Sequence, residues 1–188
     1  MPLKEYIVSL KKYIVIFCLL FVFFAVAGFL SAQSSPAEAD LLLKRIMETI
    51  EPVAGMSAFS QFIFILLNNA FTLFLVIVLG LVFAVFPFLV LSSNAAMVGV
   101  VAFFAKTMFS WPVFFLATFP HGIIEIPALI LACAVGLRLG QTVFDRIFKK
   151  QGSIKKELNY ALLFFLKVIF PFLVLASAIE VFISSRLI

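Results

Sequence analysis

Five long apolar runs leave this chain almost no choice of fold. They lie at about 13–30, 62–86, 94–109, 120–143 and 158–184, and the charged residues gather mostly at their ends. Crossing the hydrocarbon of a bilayer takes roughly 20 apolar residues in a helix. In lipid every backbone N–H and C=O must be paired within the protein, and a helix pairs its own. With 65% hydrophobic residues and only 12% charged, the sequence has far more apolar surface than a soluble domain of 188 residues can hide. The expected fold is all-α: one integral membrane domain over 1–188, with five transmembrane helices and no separate soluble domain.

The charges read as topology signals. Lys4, Lys11 and Lys12 precede the first run, and Arg146, Lys149, Lys150, Lys155 and Lys156 crowd the stretch between the fourth and fifth. Positive residues favour cytoplasmic loops. The expected arrangement is a multi-pass protein of the cell membrane with its N-terminus in the cytoplasm and its C-terminus outside. A net charge of +5 distributed this way points to membrane lipids as partners and not to nucleic acid. Cys18 and Cys133 lie in different apolar runs, with no spacing that suggests a disulfide or a metal site. No cofactor motif is present.

The interval from Ser31 to Ser60 is hydrophilic. Leu42, Leu43, Ile46, Met47, Ile50 and Val53 recur at helical spacing among Glu38, Asp40, Lys44, Arg45, Glu48 and Glu51. This predicts an amphipathic helix over 37–53, lying on the membrane or across one end of the bundle, or offering a docking surface to a partner. Pro87 and Ser92-Ser93-Asn94 read as a tight inner turn between the second and third spans. Ser110-Trp111-Pro112 and the residues to Phe119 read as an outer connection.

Polar residues inside the spans are costly in lipid and mark functional hypotheses. In the expected topology Asn68, Asn69, His121, Glu125 and Glu180 share the outer layer of the bundle. They would satisfy one another as a hydrogen-bonded knot, or bind a cation. One His with two Glu is a thin donor set for a metal, so a metal role stays unknown. Ala128, Ala132, Gly136 and Gly140 continue the face of Glu125 as a seam of small residues, the kind that lets another helix come close. Asn94 and Arg138 are expected at the opposite, inner level. No nucleophile motif and no Gly-rich phosphate loop accompanies His121 and Glu125.

Particular segments carry a family resemblance. They are Ile65-Leu66-Leu67-Asn68-Asn69, Gly80, Ser93-Asn94 with Gly99, and Pro120-His121-Gly122-Ile123-Ile124-Glu125-Ile126-Pro127-Ala128. Gly136-Leu137-Arg138-Leu139-Gly140 and Ala176-Ser177-Ala178-Ile179-Glu180-Val181-Phe182-Ile183 complete the set. On these the chain resembles the stage II sporulation protein M family of integral membrane proteins. It departs from the pattern at Ala95, where the family leads one to expect Gly after Asn94. The resemblance implies five membrane helices. In spore-forming bacteria similar proteins act with cell-wall hydrolases during engulfment of the forespore, and relatives also occur in organisms that make no spores.

The functional expectation is a non-enzymatic scaffold that recruits or positions partners in membrane or envelope remodelling. An envelope protein would be its partner, and small-residue faces would carry homo-oligomer formation. The alternative is a small transporter or channel that uses the outer polar cluster. Between that cluster and Arg138 the fourth run is Ala, Gly, Cys and aliphatic residues, which favours the scaffold.

Overall fold

The computed structural model describes the backbone of residues 3–82, 85–108 and 111–182. Side chains are described within these ranges except at residues 3, 50, 108 and 111–121. Seven α-helices appear in chain order: α1 (Leu3–Ser34), α2 (Pro36–Ala54), α3 (Ala58–Leu79), α4 (Val85–Met108), α5 (Trp111–Phe148), α6 (Ile154–Phe164) and α7 (Phe170–Phe182). A single π turn, Phe165–Ile169, joins α6 to α7. Five helices are long and apolar enough to cross a membrane: Lys4–Ser34, Ala58–Leu79, Val85–Thr107, Gly122–Phe148 and Ile154–Phe182. The protein is thus an all-α polytopic membrane protein.

The helix starts follow local chemistry. Pro36 opens α2, where a missing N–H is no loss. The hydroxyls of Ser57 and Ser153 cap α3 and α6 by accepting from the N–H groups of Ser60 and Lys156. The amphipathic helix therefore runs from Pro36 to Ala54, with Pro52 inside its last turns, and ends at Gly55. Its buried anchor is Ala39, which packs with Ala32 of α1 and Val100 and Phe104 of α4, while Leu41, Leu42 and Met47 stay exposed.

Two expected connections are helical instead. Pro87 and Ser92-Ser93-Asn94 lie inside α4, and the turn comes earlier, at Gly80 to Val82. Pro87 sits in the first turn of α4, where proline is tolerated. The hydroxyls of Ser92 and Ser93 donate to the carbonyls of Leu89 and Val90, and the Asn94 amide donates to the Val90 carbonyl at 2.8 Å. These polar side chains are satisfied on the helix itself and do not break it. The second difference is at α5, which begins at Trp111 and runs for 38 residues, so the stretch 111–119 is helix and not connection.

Backbones come very close at glycine. A Cβ on Gly80 would collide with the backbone of Gly136, and one on Gly136 would lie 2.7 Å from the Val76 carbonyl oxygen and 2.9 Å from Cγ of Pro87. Between α1 and α4, a Cβ on Gly99 would meet the Ala25 carbonyl and lie 2.7 Å from the Phe29 nitrogen, and one on Gly28 would run into Ala96. The seam of Ala128, Ala132, Gly136 and Gly140 is buried throughout. At Gly136 it is filled by α3 and α4 of the same chain. It thus packs helices within the chain, as a small-residue seam can.

The contact of Gly80 with Gly136 sets a common level on α3 and α5. Asn69 precedes Gly80 by the same eleven residues by which Glu125 precedes Gly136. At 1.5 Å per residue both stand about 16 Å above that level. The 22 residues of α3 span about 33 Å, close to the thickness of a bilayer core. Asn69 and Glu125 therefore sit near the middle of the bundle. With spans taken from about 62 and 120, the sequence alone puts the two residues in the outer layer; the helices themselves begin earlier, at Ala58 and Trp111.

Candidate functional site

The faces that build the site share one spacing. On α3, Asn69, Leu73, Val76 and Gly80 fall at steps of four, three and four; on α5, Glu125, Leu129, Ala132 and Gly136 do the same. Such steps keep residues on one side of a helix. Each face runs from a polar residue through a leucine to a small or branched residue and then glycine. Closing the glycine end leaves a gap at the polar end, because the helices meet where side chains are smallest.

That gap is a cavity of about 150 Å³. Its polar lining is Asn69 and Thr72 from α3, Asn94 from α4 and Glu125 from α5. Leu73, Leu129 and Leu173 floor and wall it, and Phe21 of α1 reaches it from the side. The three leucines are buried, whereas Asn69, Thr72 and Glu125 are half-buried and Asn94 is exposed. The Asn94 amide gives one N–H to the Val90 carbonyl and keeps a second N–H and its Oδ1. The polar groups that line the cavity are then one carboxyl, two side-chain amides and a hydroxyl, a set with both hydrogen-bond donors and acceptors.

Sequence reasoning placed Asn94 at the level of Arg138. The structure moves it up into the cavity with Asn69 and Glu125, because α4 begins nine residues earlier than expected, at Val85 and not Asn94. Asn68, by contrast, is exposed on another face of α3 and does not line the cavity. Glu180 is half-buried on α7, two turns beyond Leu173, and is not among the residues of the cavity wall. The backbone of His121 lies one turn before Glu125 in α5, and its side chain is outside the described residues. Among the described residues no three His, Cys, Asp or Glu side chains converge as a metal site.

Below the cavity the bundle is apolar. Residues 73–80 of α3, 85–91 of α4 and 126–137 of α5 carry no charged, amide or hydroxyl side chain. Leu91, Ala128, Ala132, Val135 and Ile169 are fully or almost fully buried there. The Cys133 thiol donates to the Pro87 carbonyl at 3.4 Å and adds no charge to this layer.

Under it lies a second polar feature that the sequence did not announce. Arg138 pairs with Glu157 of α6: Nε to Oε1 at 2.6 Å and a second guanidinium nitrogen to Oε2 at 3.3 Å. The guanidinium also rests over the Tyr6 ring, 4.6 Å from its centroid. Glu157 is only 8% exposed. Arg138 is therefore held by a partner within the bundle. Beside it, Gln141 accepts from the Tyr13 hydroxyl and from Lys12. Lys167, in the π turn, is exposed on the outer face of the bundle.

A family model described as "Stage II sporulation protein M" matches residues 17–185, nearly the whole chain. No curated protein and no solved structure matches it.

Proposed function

The chain belongs to the stage II sporulation protein M family, and on that premise we propose that it is a non-enzymatic scaffold recruiting partners for membrane or envelope remodelling. The observation that supports this most is the apolar layer beneath the cavity. A conductor needs a continuous polar route, and here the polar set of Asn69, Thr72, Asn94 and Glu125 is separated from Arg138 and Glu157 by closely packed aliphatic residues. The scaffold would stand with its N-terminus in the cytoplasm, in line with the lysines of 4–12 and 146–156. Its partner would meet the exposed Leu41, Leu42 and Met47 of α2, at the end of the bundle away from Arg138. Self-association would use surfaces other than the Gly136 seam, which is filled within the chain.

The second reading is a small transporter, and one observation favours it: a carboxylate, Glu125, lines a cavity among helices long and apolar enough to cross a membrane, where such a group is costly. Flux measurements on proteoliposomes separate the two. The scaffold predicts ion and small-solute permeability equal to that of protein-free vesicles. Flux that depends on Glu125 would overturn it.

A further inference from the structure

Lys167 stands in the middle of a membrane span. It follows Ile154 by thirteen residues and precedes Phe182 by fifteen. Its side chain is exposed on the outer face of the bundle. An ionisable group at this depth is costly in lipid, and such groups as a rule face a bundle interior or pair with one another. Among the described residues Lys167 does neither: its ammonium meets no carboxylate, hydrogen-bond acceptor or ring. The turn that carries it, Phe165–Ile169, is a π turn, a rare form that is frequent at functional sites.

Two nearby sources do not supply the missing counter-charge. The lipid headgroups lie too far away. Lys156, at the charged end of the bundle, is eleven residues off, about 16 Å along the helix, and Phe182 is about 22 Å the other way. A lysine stem has four carbons and spans far less. A second copy of this chain does not supply it either, because copies inserted the same way keep each residue at its own level. Of the nine acidic residues, four belong to α2 and one, Glu5, to the start of α1. Asp145 and Glu157 are paired with Lys149 and Arg138. Glu125 lines the internal cavity, and Glu180 stands thirteen residues beyond Lys167, about 20 Å along the axis.

We propose that the outer face of α6, the π turn and α7 docks a membrane-spanning helix of another protein, and that an aspartate or glutamate in the middle of that helix pairs with Lys167. Leu163, Leu166 and Leu175 are exposed around the lysine and extend about 18 Å along the axis, so the partner helix packs against apolar side chains on either side of the pair. A lone carboxylate in hydrocarbon is as unfavourable as a lone ammonium, and each answers the other. The pair fixes the depth of the partner helix and selects it by charge. This adds a partner within the membrane to the scaffold reading, on a face distinct from α2.

The test uses the full chain in phosphatidylcholine vesicles with a labelled synthetic helix of leucine and alanine, about 20 residues long, carrying one aspartate at its centre. Energy transfer between labels on the chain and the helix reports association. The aspartate helix should bind the wild type at least tenfold more tightly than the same helix with leucine at its centre. Lys167→Leu should bring the two helices to one weak level, and Lys167→Glu should prefer a helix with lysine at its centre. Because Lys167 has no described partner inside the bundle, Lys167→Leu should keep or raise Tm, which shows that the lost binding is local. Equal binding of the aspartate and leucine helices by the wild type, aspartate-helix binding that survives Lys167→Leu, or a Lys167→Glu chain that still prefers aspartate overturns the proposal. A sharp fall of Tm in Lys167→Leu overturns it too, since the ammonium would then be engaged within the chain. The assay reads association and not permeability, so its failure leaves the flux test of the scaffold reading untouched.

Discussion

Arg138 carries the clearest energetic consequence of any single residue here. Its ion pair with Glu157 is two-pronged and mostly shielded, with side-chain exposures of 18% and 10%. Removing one partner of a buried pair leaves the other charge uncompensated and costs about 3–5 kcal/mol. We expect Glu157→Leu and Arg138→Met each to lower Tm sharply in detergent, and the double variant to recover most of the loss. A double variant as unstable as the two losses combined would mean that the charges act independently. This pair was not legible in the sequence, because the partner lies nineteen residues away, beyond the basic turn. Asn94 was misplaced for a different reason. Ser-Ser-Asn has turn composition, and only the hydrogen bonds of its side chains to the preceding helical turn show why it stays in α4. Asn69 and Glu125, which do share the cavity, were readable as polar interruptions in apolar runs.

At the scale of elements, the close backbone approaches decide where substitution is tolerated. Gly99 lies against the backbone of α1, which cannot yield locally, whereas among the described residues a Cβ on Gly122 would find only Ile126 Cδ1 at 3.8 Å. Gly99→Ala should therefore lower Tm clearly or prevent purification, and Gly122→Ala should leave Tm within a few degrees of wild type. Equal behaviour of the two would mean that α1 and α4 do not pack as described. Ala95, Gly99 and Ala102 lie at helical spacing on α4, but the sequence does not show that Gly28 and Ala25 receive that face.

The π turn has a cause in sequence and an effect on packing. Pro171 has no N–H to offer the Lys167 carbonyl, and its ring would crowd that oxygen in a regular α-helix. Phe170 instead donates to the Phe165 carbonyl, five residues back. The buried positions Ala161, Phe165, Ile169, Leu173, Ser177 and Val181 recur every fourth residue. In a pure α-helix such a run drifts around the axis by about 40° per step. One extra residue in a wide turn takes back about 100°. Deleting Leu166 together with Pro171→Ala should thus give a plain helix with nearly the same buried face, and the protein should still purify as a folded species. Inserting one alanine after Leu166 should turn Leu173 and Ser177 toward lipid and destabilise it. If the insertion is tolerated and the deletion is not, the phase argument fails. Pro171 was visible in the sequence as a mid-span proline. The wide turn it brings was not, because proline alone does not say which of several distortions a helix adopts.

For the whole molecule, five spans could be read from run lengths, because the lipid requirement is nearly one-dimensional, and the amphipathic helix from the spacing of its apolar residues. The levels of residues across the bundle could not, since these depend on where helices touch, as Gly80 and Gly136 do. Orientation is the global property that the charges predict. Lys4, Lys11, Lys12, Arg146, Lys149, Lys150, Lys155 and Lys156 belong to α1 and to the α5–α6 region, at the end marked by the Arg138–Glu157 pair, and all are exposed. At the other end α2 mixes Lys44 and Arg45 with Glu38, Asp40, Glu48 and Glu51, and Lys44 is tied to Asp40 at 2.8 Å. The bias of positive charge should hold the first end in the cytoplasm. Starting from Cys18→Ser, with Cys133 buried inside the bundle, a cysteine at Met56 should react with an impermeant thiol reagent in intact cells. One at Gln151 should react only after the membrane is opened. Gln151 serves better than Gly152, whose φ of 80° strains any side chain placed there. Labelling of the Gln151 position in intact cells, with protection at Met56, would invert the protein in the membrane. The docking face assigned to α2 would then lie on the cytoplasmic side.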